Sequence, residues 1–233
     1  LAAFADPVAA RHKEIKKLFP GARGYKTHEE MFANEQLDVV SVCTPNVYHA
    51  EGVYAALEAG CDVLCEKPMA TTLTDARKMY EAAKKARKKL MIGFTHRTFE
   101  GNKKCKELMK KRVLGKPFMI RVRFAHGGPL PGWAKDDWFY REELAAGGAM
   151  LDMGIHAIDL ALWLMGPVKA VMAKTATIVK RIEVDDNAVL ILEFANGALG
   201  YIEVGWTSKP GFTGVELYGT KGSLICDYNK GLQ

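Results

Sequence analysis

The stretch DVLCEKP at residues 62–68 is an apolar run of strand length that ends in two opposite charges and a proline. Similar short apolar runs lie at residues 1–5, 39–43 and 90–94, and segments of helix length separate them. Strands that alternate with helices in this way build βαβ units and a parallel, doubly wound sheet. The sequence therefore predicts an α/β domain over residues 1–94.

The segment from residue 72 to residue 89 has the clearest helical pattern between two of these runs. Its apolar side chains recur at the helical period. Thr72 and Asp75 have the spacing of a capping box, in which each side chain satisfies a backbone group at the helix N-terminus. We expect a helix that starts at this pair.

After Gly93 the pattern changes from alternation to successive strands. A helical segment at 101–112 leads to a strand at 118–124, a loop rich in Gly, Pro and Trp, and a second helix near 148–165. Further strands are predicted at 170–179, 187–194, 198–206, 214–218 and 223–227, with a hairpin turn at Asn196-Gly197. This order predicts a second domain over residues 95–233, of α+β type with a mostly antiparallel open sheet.

Composition narrows the class of protein. The chain has 233 residues, of which 48% are hydrophobic, and its formal charge is +6. Its lysines fall on the outer faces and ends of predicted helices, which favours solvated surfaces over a nucleic-acid site. No apolar run reaches the roughly 18 residues of a membrane span, and no signal peptide pattern is found at the start. We expect a cytoplasmic protein that binds neither nucleic acid nor membrane.

Five cysteines are scattered among apolar neighbours without CxxC spacing or a histidine partner pattern. They are interpreted as buried reduced thiols, and no metal site is predicted.

Polar residues follow two of the strands of the first domain. Asp6 ends the first strand, where a carboxylate accepts hydrogen bonds from the adenosine ribose in dinucleotide-binding folds, or simply caps the next helix. Thr44 and Asn46 leave the strand at 39–43, where they are able to bind cofactor or cap a helix. His49 is interpreted as a loop-packing residue in preference to a proton carrier.

The stretch at residues 62–68 ends with Glu66, Lys67 and Pro68. A surface turn would explain the two charges, but the carboxyl end of a buried strand is where open α/β sheets bind ligands. The bond before Pro68 can be cis, which would shape a sharp turn. Lys67 is therefore a candidate for hydrogen bonding to a substrate oxygen and for stabilising a developing alkoxide.

The stretch GGAMLDMGIHAID at residues 147–159 carries the strongest chemical signal. On an α-helix Asp152, His156 and Asp159 share one face, and the apolar residues around them predict a largely buried helix. A histidine there suits proton transfer from an alcohol near neutral pH, with Asp152 orienting it or binding a neighbouring hydroxyl. A salt link on the helix surface is the alternative.

These residues together resemble the glucose-fructose oxidoreductase/inositol dehydrogenase family of nicotinamide-dependent enzymes. The resemblance rests on the order of six motifs along the whole chain. They are Ala5-Asp6-Pro7, residues 43–49, Glu66-Lys67-Pro68, residues 147–159, Val184-Asp185-Asp186-Asn187-Ala188 and residues 218–222.

The resemblance implies a Rossmann domain followed by a substrate-binding domain whose open sheet forms a homo-oligomer, a dimer or tetramer. It implies hydride transfer between nicotinamide and a secondary alcohol or ketone of a sugar, cyclitol or related diol, with His156 as base and acid. NAD is the expected cofactor, favoured over NADP by Asp6. The implied catalytic residues are Lys67, Asp152 and His156, and Arg97 and Trp138 join them as substrate-binding residues. The implied cofactor-binding residues are Asp6, Thr44, Pro45, Asn46, His49, Glu66, Lys67 and Pro68.

One feature of the family has no counterpart in this sequence. The Gly-x-Gly-x-x-Gly turn precedes the Asp6 strand in the family, so we expect a strand, glycine turn and helix to be absent, with part of the C-terminal region. The implied reaction site would exist only where the two domains dock. An NAD-assisted glycosidase and a non-catalytic NAD-binding sensor or co-repressor, both known in the family, are alternatives.

Overall fold

Short parallel strands alternate with helices in the first of two units of the computed structural model, which describes residues 1–233. The units are Leu1–Gly93 and Phe94–Gln233. In the first, β1 pairs with β2 and β3-β4-β5 form a second sheet, all parallel, which confirms the predicted fold class. Its elements are β1 (Ala3–Ala5), α1 (Ala9–Leu18), β2 (Arg23–Tyr25), α2 (His28–Asn34), β3 (Val39–Val42), α3 (His49–Glu58), β4 (Asp62–Cys65), α4 (Leu73–Ala86) and β5 (Leu90–Ile92).

Local sequence sets both ends of α4. Thr72 Oγ1 accepts a hydrogen bond from Asp75 N at 3.1 Å and donates to Asp75 Oδ2 at 2.7 Å, so the predicted cap is confirmed. Lys84 and Lys85 lie in the last turn, where the helix dipole stabilises positive charge. Arg87 then takes a left-handed φ of 56° and ends the helix before β5.

The core of the first unit lies between its helices and the β3-β4-β5 sheet. Val53, Val63, Cys65 and Met79 are almost fully buried there. Burying one such side chain contributes roughly 1.5–3 kcal/mol. This packing fixes the carboxyl ends of β3 and β4, from which the candidate residues project.

A seven-stranded sheet of order β12-β11-β10-β6-β9-β8-β7 forms the second unit. All its neighbouring strands are antiparallel except β6 and β9, which are parallel. The elements are α5 (Glu100–Lys110), β6 (Pro117–Ala125), α6 (Glu142–Ala145), α7 (Ile155–Met165), β7 (Val168–Ala176), β8 (Asn187–Phe194), β9 (Leu199–Gly205), β10 (Gly214–Gly219), β11 (Gly222–Asp227) and β12 (Gly231–Leu232).

One face of this sheet is covered and the other is open. Along β8, Leu190 and Leu192 are buried, while Val189 and Ile191 between them are exposed. The covered side chains join those of α7 in one core cluster. The predicted hairpin turn joins β8 to β9, with Gly197 at φ 82°.

The short strands β2 and β12 were not predicted, and among the predicted strands β7 differs most from its expected bounds. The strand predicted over 170–179 ends at Ala176, because the carboxylate of Asp186 accepts hydrogen bonds from the backbone N–H groups of Ile178, Val179 and Lys180. These donors are then unavailable to a sheet. The interpretation of all five cysteines as buried is also wrong for Cys43, which is exposed.

The helical run Glu142–Met165 is long and apolar enough to cross a membrane by length and composition, with a hydropathy of 1.3 over its best window. However, 67% of that window is buried inside the fold, and core helices pass the same test. We interpret the run as part of the core. Its middle, Met150–Gly154, is a π-helical turn.

Candidate functional site

His49 ties together two strand-end loops of the first unit. Its Nδ1 lies 2.7 Å from the carbonyl oxygen of Pro68, and its Nε2 lies 3.0 Å from that of Thr44. The ring is 1% exposed. This geometry matches the loop-packing interpretation, since both ring nitrogens face backbone carbonyls. His49 therefore fixes the loop after β3 against the loop after β4.

The residues after β4 form a tight turn. The Lys67-Pro68 peptide is cis, and Lys67 N donates to Glu66 Oε2 at 3.2 Å. Pro68 is buried, and Glu66 and Lys67 are half-buried. Glu66 also fills the space beside Gly93, where an added Cβ would lie 3.1 Å from Oε2. The turn thus presents a lysine on a constrained backbone.

Asp6 and the loop after β3 complete the set of strand-end residues. Asp6 Oδ1 accepts from Val8 N at 2.8 Å, and its Oδ2 lies 3.4 Å from a guanidinium nitrogen of Arg11. Asp6 thus shapes the turn before α1, but the N-cap residue is Val8 and no side chain caps the helix, so the alternative that Asp6 is the cap is wrong. The Asp6 side chain keeps 18% of its surface exposed. Thr44 is exposed, Pro45 is half-buried and Asn46 is buried.

Asp152 and His156 lie in the core helix of the second unit, where they are 5% and 7% exposed. The sequence predicts that both lie on one face of a regular α-helix, but Asp152 belongs to the π-helical turn and His156 to α7. A π turn bonds residue i to residue i+5 and widens the helix, and such turns are frequent at functional sites. The α-helical spacing assumed for this pair is therefore wrong.

Asp185 clamps the start of that helix. Its Oδ1 accepts from Gly148 N at 2.9 Å, its Oδ2 from Met150 N at 2.7 Å, and its carbonyl oxygen from Ala149 N at 2.8 Å. A carboxylate at a helix N-terminus is favoured by the dipole. A Cβ on Gly148 would lie 1.9 Å from the Asp185 carbonyl oxygen, so this position has room only for glycine. The motifs at 147–159 and 184–188 are thus two halves of one contact.

Asp186 fixes the adjoining loop from the other side. It is fully buried and accepts three backbone hydrogen bonds from residues 178–180 as well as one from Asn187 Nδ2 at 2.8 Å. Burial opposes its ionisation, but these hydrogen bonds outweigh burial, so the pKa of Asp186 is lowered. Asp186 therefore stays ionised inside the fold.

Aromatic rings surround His156. The ring of His96 stacks on it with centroids 4.3 Å apart and an interplanar angle of 26°, and Phe94 meets it edge-on at 6.4 Å. Arg97, beside His96 in sequence, forms a two-pronged pair with Asp159, from Nε at 2.7 Å and from Nη2 at 2.5 Å. The 3₁₀ turn at Thr95–Thr98 is therefore held to α7 by a stack and an ion pair.

A third imidazole lies near Asp152. His126 Nδ1 accepts from Gly128 N at 2.9 Å, and Nε2 lies 3.3 Å from Met153 Sδ. Burial lowers the pKa of His126 below its ordinary 6.5, and the negative charge of Asp152 works against this fall. His126 is thus a neutral ring with its proton on Nε2.

Arg97 and Trp138, the expected substrate-binding residues, occupy different surroundings. The Arg97 side chain is 43% exposed although its guanidinium is bound to Asp159. Trp138 begins a 3₁₀ turn and stacks on Phe139, whose edge meets the exposed Trp133. Their role in substrate binding stays a prediction.

His96, His126 and Tyr228 were not predicted from the sequence as site residues, and Asp185 was predicted only as part of a motif. His96, His126 and Asp185 contact the helix from positions 27 or more residues away in sequence, and Tyr228 contacts His96. The spacing of neighbouring residues in the sequence does not predict contacts between segments that far apart. The adjacent Gly147 and Gly148 before an apolar helix were the one local sign of a close approach.

Comparison with known proteins agrees with this arrangement. Residues 1–94 match the family model described as "Oxidoreductase family, NAD-binding Rossmann fold", and residues 102–225 match the GFO/IDH/MocA C-terminal domain. Among curated relatives, a myo-inositol 2-dehydrogenase of Thermotoga maritima is 33% identical over 97% of this chain and 67% of its own length. A D-glucoside 3-dehydrogenase of Escherichia coli is 32% identical over 87% of this chain and 62% of its own.

Solved structures give the same answer. GenD2 from gentamicin A biosynthesis, in complex with NAD, superposes with a TM-score of 0.90 at 31% identity, over 97% of this chain and 64% of that one. Levoglucosan dehydrogenase with NADH and levoglucosan gives 0.89 at 27%, over 98% and 64%. The chain thus spans about two thirds of the length of these relatives. With both family models matched in order along it, the chain belongs to the GFO/IDH/MocA family of oxidoreductases.

Proposed function

We propose that the protein is an NAD-dependent oxidoreductase that transfers a hydride between nicotinamide and a secondary alcohol or ketone of a sugar, cyclitol or related diol. The observation that carries this proposal is the buried pair of Asp152 and His156 on a helix that Asp185 clamps at its start. Titratable side chains in a core need partners or a task. The relatives named above include dehydrogenases of an inositol and a glucoside.

The strand ends of the first unit fit NAD. Asp6 keeps part of its carboxylate accessible, which suits an acceptor for ribose hydroxyls and disfavours a 2′-phosphate. Thr44 leaves β3 with an exposed side chain, and His49 holds its loop to that of Pro68. We therefore assign cofactor binding to the residues around Asp6, 44–49 and 66–68, with NAD preferred over NADP.

Three side chains would carry the chemistry. His156 takes the hydroxyl proton during oxidation and returns it during reduction. Asp152 orients the imidazole or binds a neighbouring hydroxyl, and the Lys67 ammonium hydrogen-bonds the reacting oxygen and stabilises its developing charge. NAD, when bound, supplies the hydride acceptor at the nicotinamide ring. Arg97 and Trp138 are assigned to the substrate side.

The test is NADH formation over a panel of inositols, glucosides and other diols. His156→Ala should lower kcat by about a hundredfold or more, because a positioned base contributes at least that factor. His28→Ala, which changes a histidine at the start of α2, is the matched control and should keep wild-type turnover. Unchanged turnover in His156→Ala would reject the assignment.

The same assay separates the alternatives within the family. Free sugar released from an aryl glycoside without NADH accumulation would indicate the glycosidase. Tight NAD binding with no turnover of any substrate in the panel would indicate the sensor or co-repressor. Either result would overturn the proposed oxidoreductase activity.

We also propose that the open sheet face joins two copies of the chain. Met172, Ile191 and Tyr201 lie side by side across β7, β8 and β9, and they are 72%, 51% and 36% exposed. The charges of this face pair between neighbouring strands: Arg123 on β6 binds Glu203 on β9 at 2.9 Å, and Arg121 on β6 lies 3.7 Å from Glu216 on β10. Identical faces therefore meet without net repulsion, as an isologous dimer requires.

Light scattering tests this interface. Wild-type protein should elute as a dimer or a tetramer, and a monomeric wild type would contradict the proposal. A cytoplasmic location is proposed as well and is tested by cell fractionation.

A further inference from the structure

The ring of His96 lies in an aromatic box in the second unit. It stacks on His156 at 4.3 Å and on Phe99 at 4.9 Å, and it lies 4.8 Å from Phe124 and 5.5 Å from Tyr228 between ring centroids. Four rings therefore fix the plane of His96. Since one of them is His156, the orientation of one imidazole depends on the other.

A short network of hydrogen bonds holds the imidazole nitrogen Nδ1 of His96. Its Nδ1 lies 2.9 Å from the hydroxyl of Tyr228, and that hydroxyl accepts a hydrogen bond from Asn102 Nδ2 at 2.7 Å. Asn102 is fully buried, and its Nδ2 also donates to the carbonyl oxygen of His96 at 2.8 Å. The amide thus binds both the backbone and the hydroxyl partner of the same histidine.

The amide of Asn102 sets the direction of the hydrogen bonds in this network. Asn102 Nδ2 can only donate, so the Tyr228 oxygen accepts from it and has its own proton to give. Burial raises the pKa of the Tyr228 hydroxyl, which therefore keeps that proton. The acceptor within reach of that proton is His96 Nδ1, at 2.9 Å, and a ring nitrogen that accepts this bond is the unprotonated nitrogen of a neutral ring. His96 is held as the tautomer with its proton on Nε2.

A neutral stacking partner matters to a neighbouring base. Two protonated imidazoles whose centroids lie 4.3 Å apart would repel each other, so a His96 that charged readily would oppose proton uptake by His156. A neutral ring offers its π face to an imidazolium and stabilises it. Of the other charges nearby, Arg97 and Asp159 are paired with each other, and Asp152 lies buried four residues before His156 on the same helical run. The thiols of Cys105 and Cys226 lie next to each other and near Tyr228.

We propose that His96 is a positioning residue for His156, kept neutral and in plane by Tyr228 and Asn102. The proposal rests on the proposed function, because it assigns to His156 the role of proton acceptor. It adds that the proton affinity of this base is set by a neighbouring imidazole, whose protonation a tyrosine hydroxyl opposes.

The first test is Tyr228→Phe, which keeps the ring and removes only the hydroxyl. We expect ¹⁵N NMR of wild-type protein to show His96 in the Nε2–H form, and the variant to show a tautomer mixture with easier protonation of His96. The kcat for NADH formation should fall roughly tenfold with little change in KM, and the acidic limb of the pH profile, where protonation of His156 removes the base, should shift. Tyr218→Phe, whose hydroxyl binds Glu216 on β10, is the matched control.

The second test is rescue. His96→Phe combined with Tyr228→Phe leaves an uncharged ring stacked on His156 and no buried hydroxyl without an acceptor. The double variant should recover most of the kcat lost in Tyr228→Phe and restore the pH profile. A structural role alone predicts further loss.

The outcomes distinguish this proposal from the proposed function. A wild type without turnover refutes the proposed function, while the NMR measurement still reports the His96 tautomer. A wild type with turnover, whose Tyr228→Phe variant matches it in tautomer, kcat and pH profile, refutes the positioning role of His96. A double variant less active than Tyr228→Phe also refutes it.

Discussion

Gly148→Ala tests the contact that fixes the helix bearing Asp152 and His156. The added Cβ would lie 1.9 Å from the carbonyl oxygen of Asp185 and 2.7 Å from its backbone nitrogen and carbonyl carbon. All three are backbone atoms, so a side-chain rotation gives no relief. The helix start and the residue 185 backbone must separate by more than 1 Å to reach ordinary contact.

That separation breaks or lengthens the hydrogen bonds of the clamp. Two of them end on the Asp185 carboxylate and one on its carbonyl oxygen. Bonds to a charged group contribute about 1.5–3 kcal/mol each and neutral ones about 1 kcal/mol. With partial relaxation we expect a loss of about 4 kcal/mol, which corresponds to a fall in Tm on the order of 10–15 °C.

Tryptophan fluorescence is the assay, because all four tryptophans lie in the second unit, at residues 133, 138, 163 and 206. Thermal and urea unfolding would then report the unit that contains the clamp. Gly127→Ala is the matched control, since its Cβ would meet only the Lys209 side chain at 3.4 Å. A Gly148→Ala variant within about 1 kcal/mol of that control would refute the reasoning, since most of the clamp would then have survived.

Three further predictions address other parts of the molecule. Because the folded pKa of His126 is lowered, the unfolded state takes up the proton first, and stability falls as pH drops below the unfolded value of about 6.5. His126→Asn, which keeps an acceptor for Gly128 N, should show a smaller loss of stability between pH 7 and pH 5 in urea titrations. Ile191→Lys should shift the protein towards monomer in light scattering, whereas Lys174→Arg on the edge strand should not. Thr72→Ala should lower the stability of the first unit by about 1 kcal/mol, measured by hydrogen exchange of α4 amides, because it removes both bonds of the cap.

Local signals in the sequence predicted much of the fold. The alternation of short apolar runs with segments of helix length up to residue 94 predicted the parallel strands. The spacing of Thr72 and Asp75 predicted the start of α4. The strand over 187–194 matches β8, since its side chains alternate between a covered and an open face. Each of these depends on neighbours within a few residues.

The rest depends on contacts between distant segments. The π turn at Met150–Gly154 differs from an α turn by a single hydrogen-bond step, and no residue type specifies it. The early end of β7 follows from Asp186, whose carboxylate takes the N–H groups of residues 178–180. The predicted strand ran on to residue 179 because Ile178 and Val179 have a high strand propensity.

The sequence predicted which residues form the candidate site, but not which side chains surround them. Asp152 and His156 were found because charge in an apolar helix needs an explanation. His96 lies 60 residues before His156 in sequence, and nothing near it marked a stacking partner.

Two separate groups of residues hold His156, and they control different quantities. Asp185 acts through the backbone at the helix start, so its loss should reduce stability and kcat together and leave the pH profile in place. Tyr228 acts through His96 on a proton equilibrium, so its loss should move the pH profile with little effect on stability. Asp185→Asn keeps an acceptor oxygen for one of the two backbone N–H groups and presents an NH2 group to the other, so one carboxylate bond is weakened and the other is lost. If Asp185→Asn instead shifted the pH profile as Tyr228→Phe does, the backbone clamp and the imidazole stack would be one coupled network, and the separation argued from their contacts would be wrong.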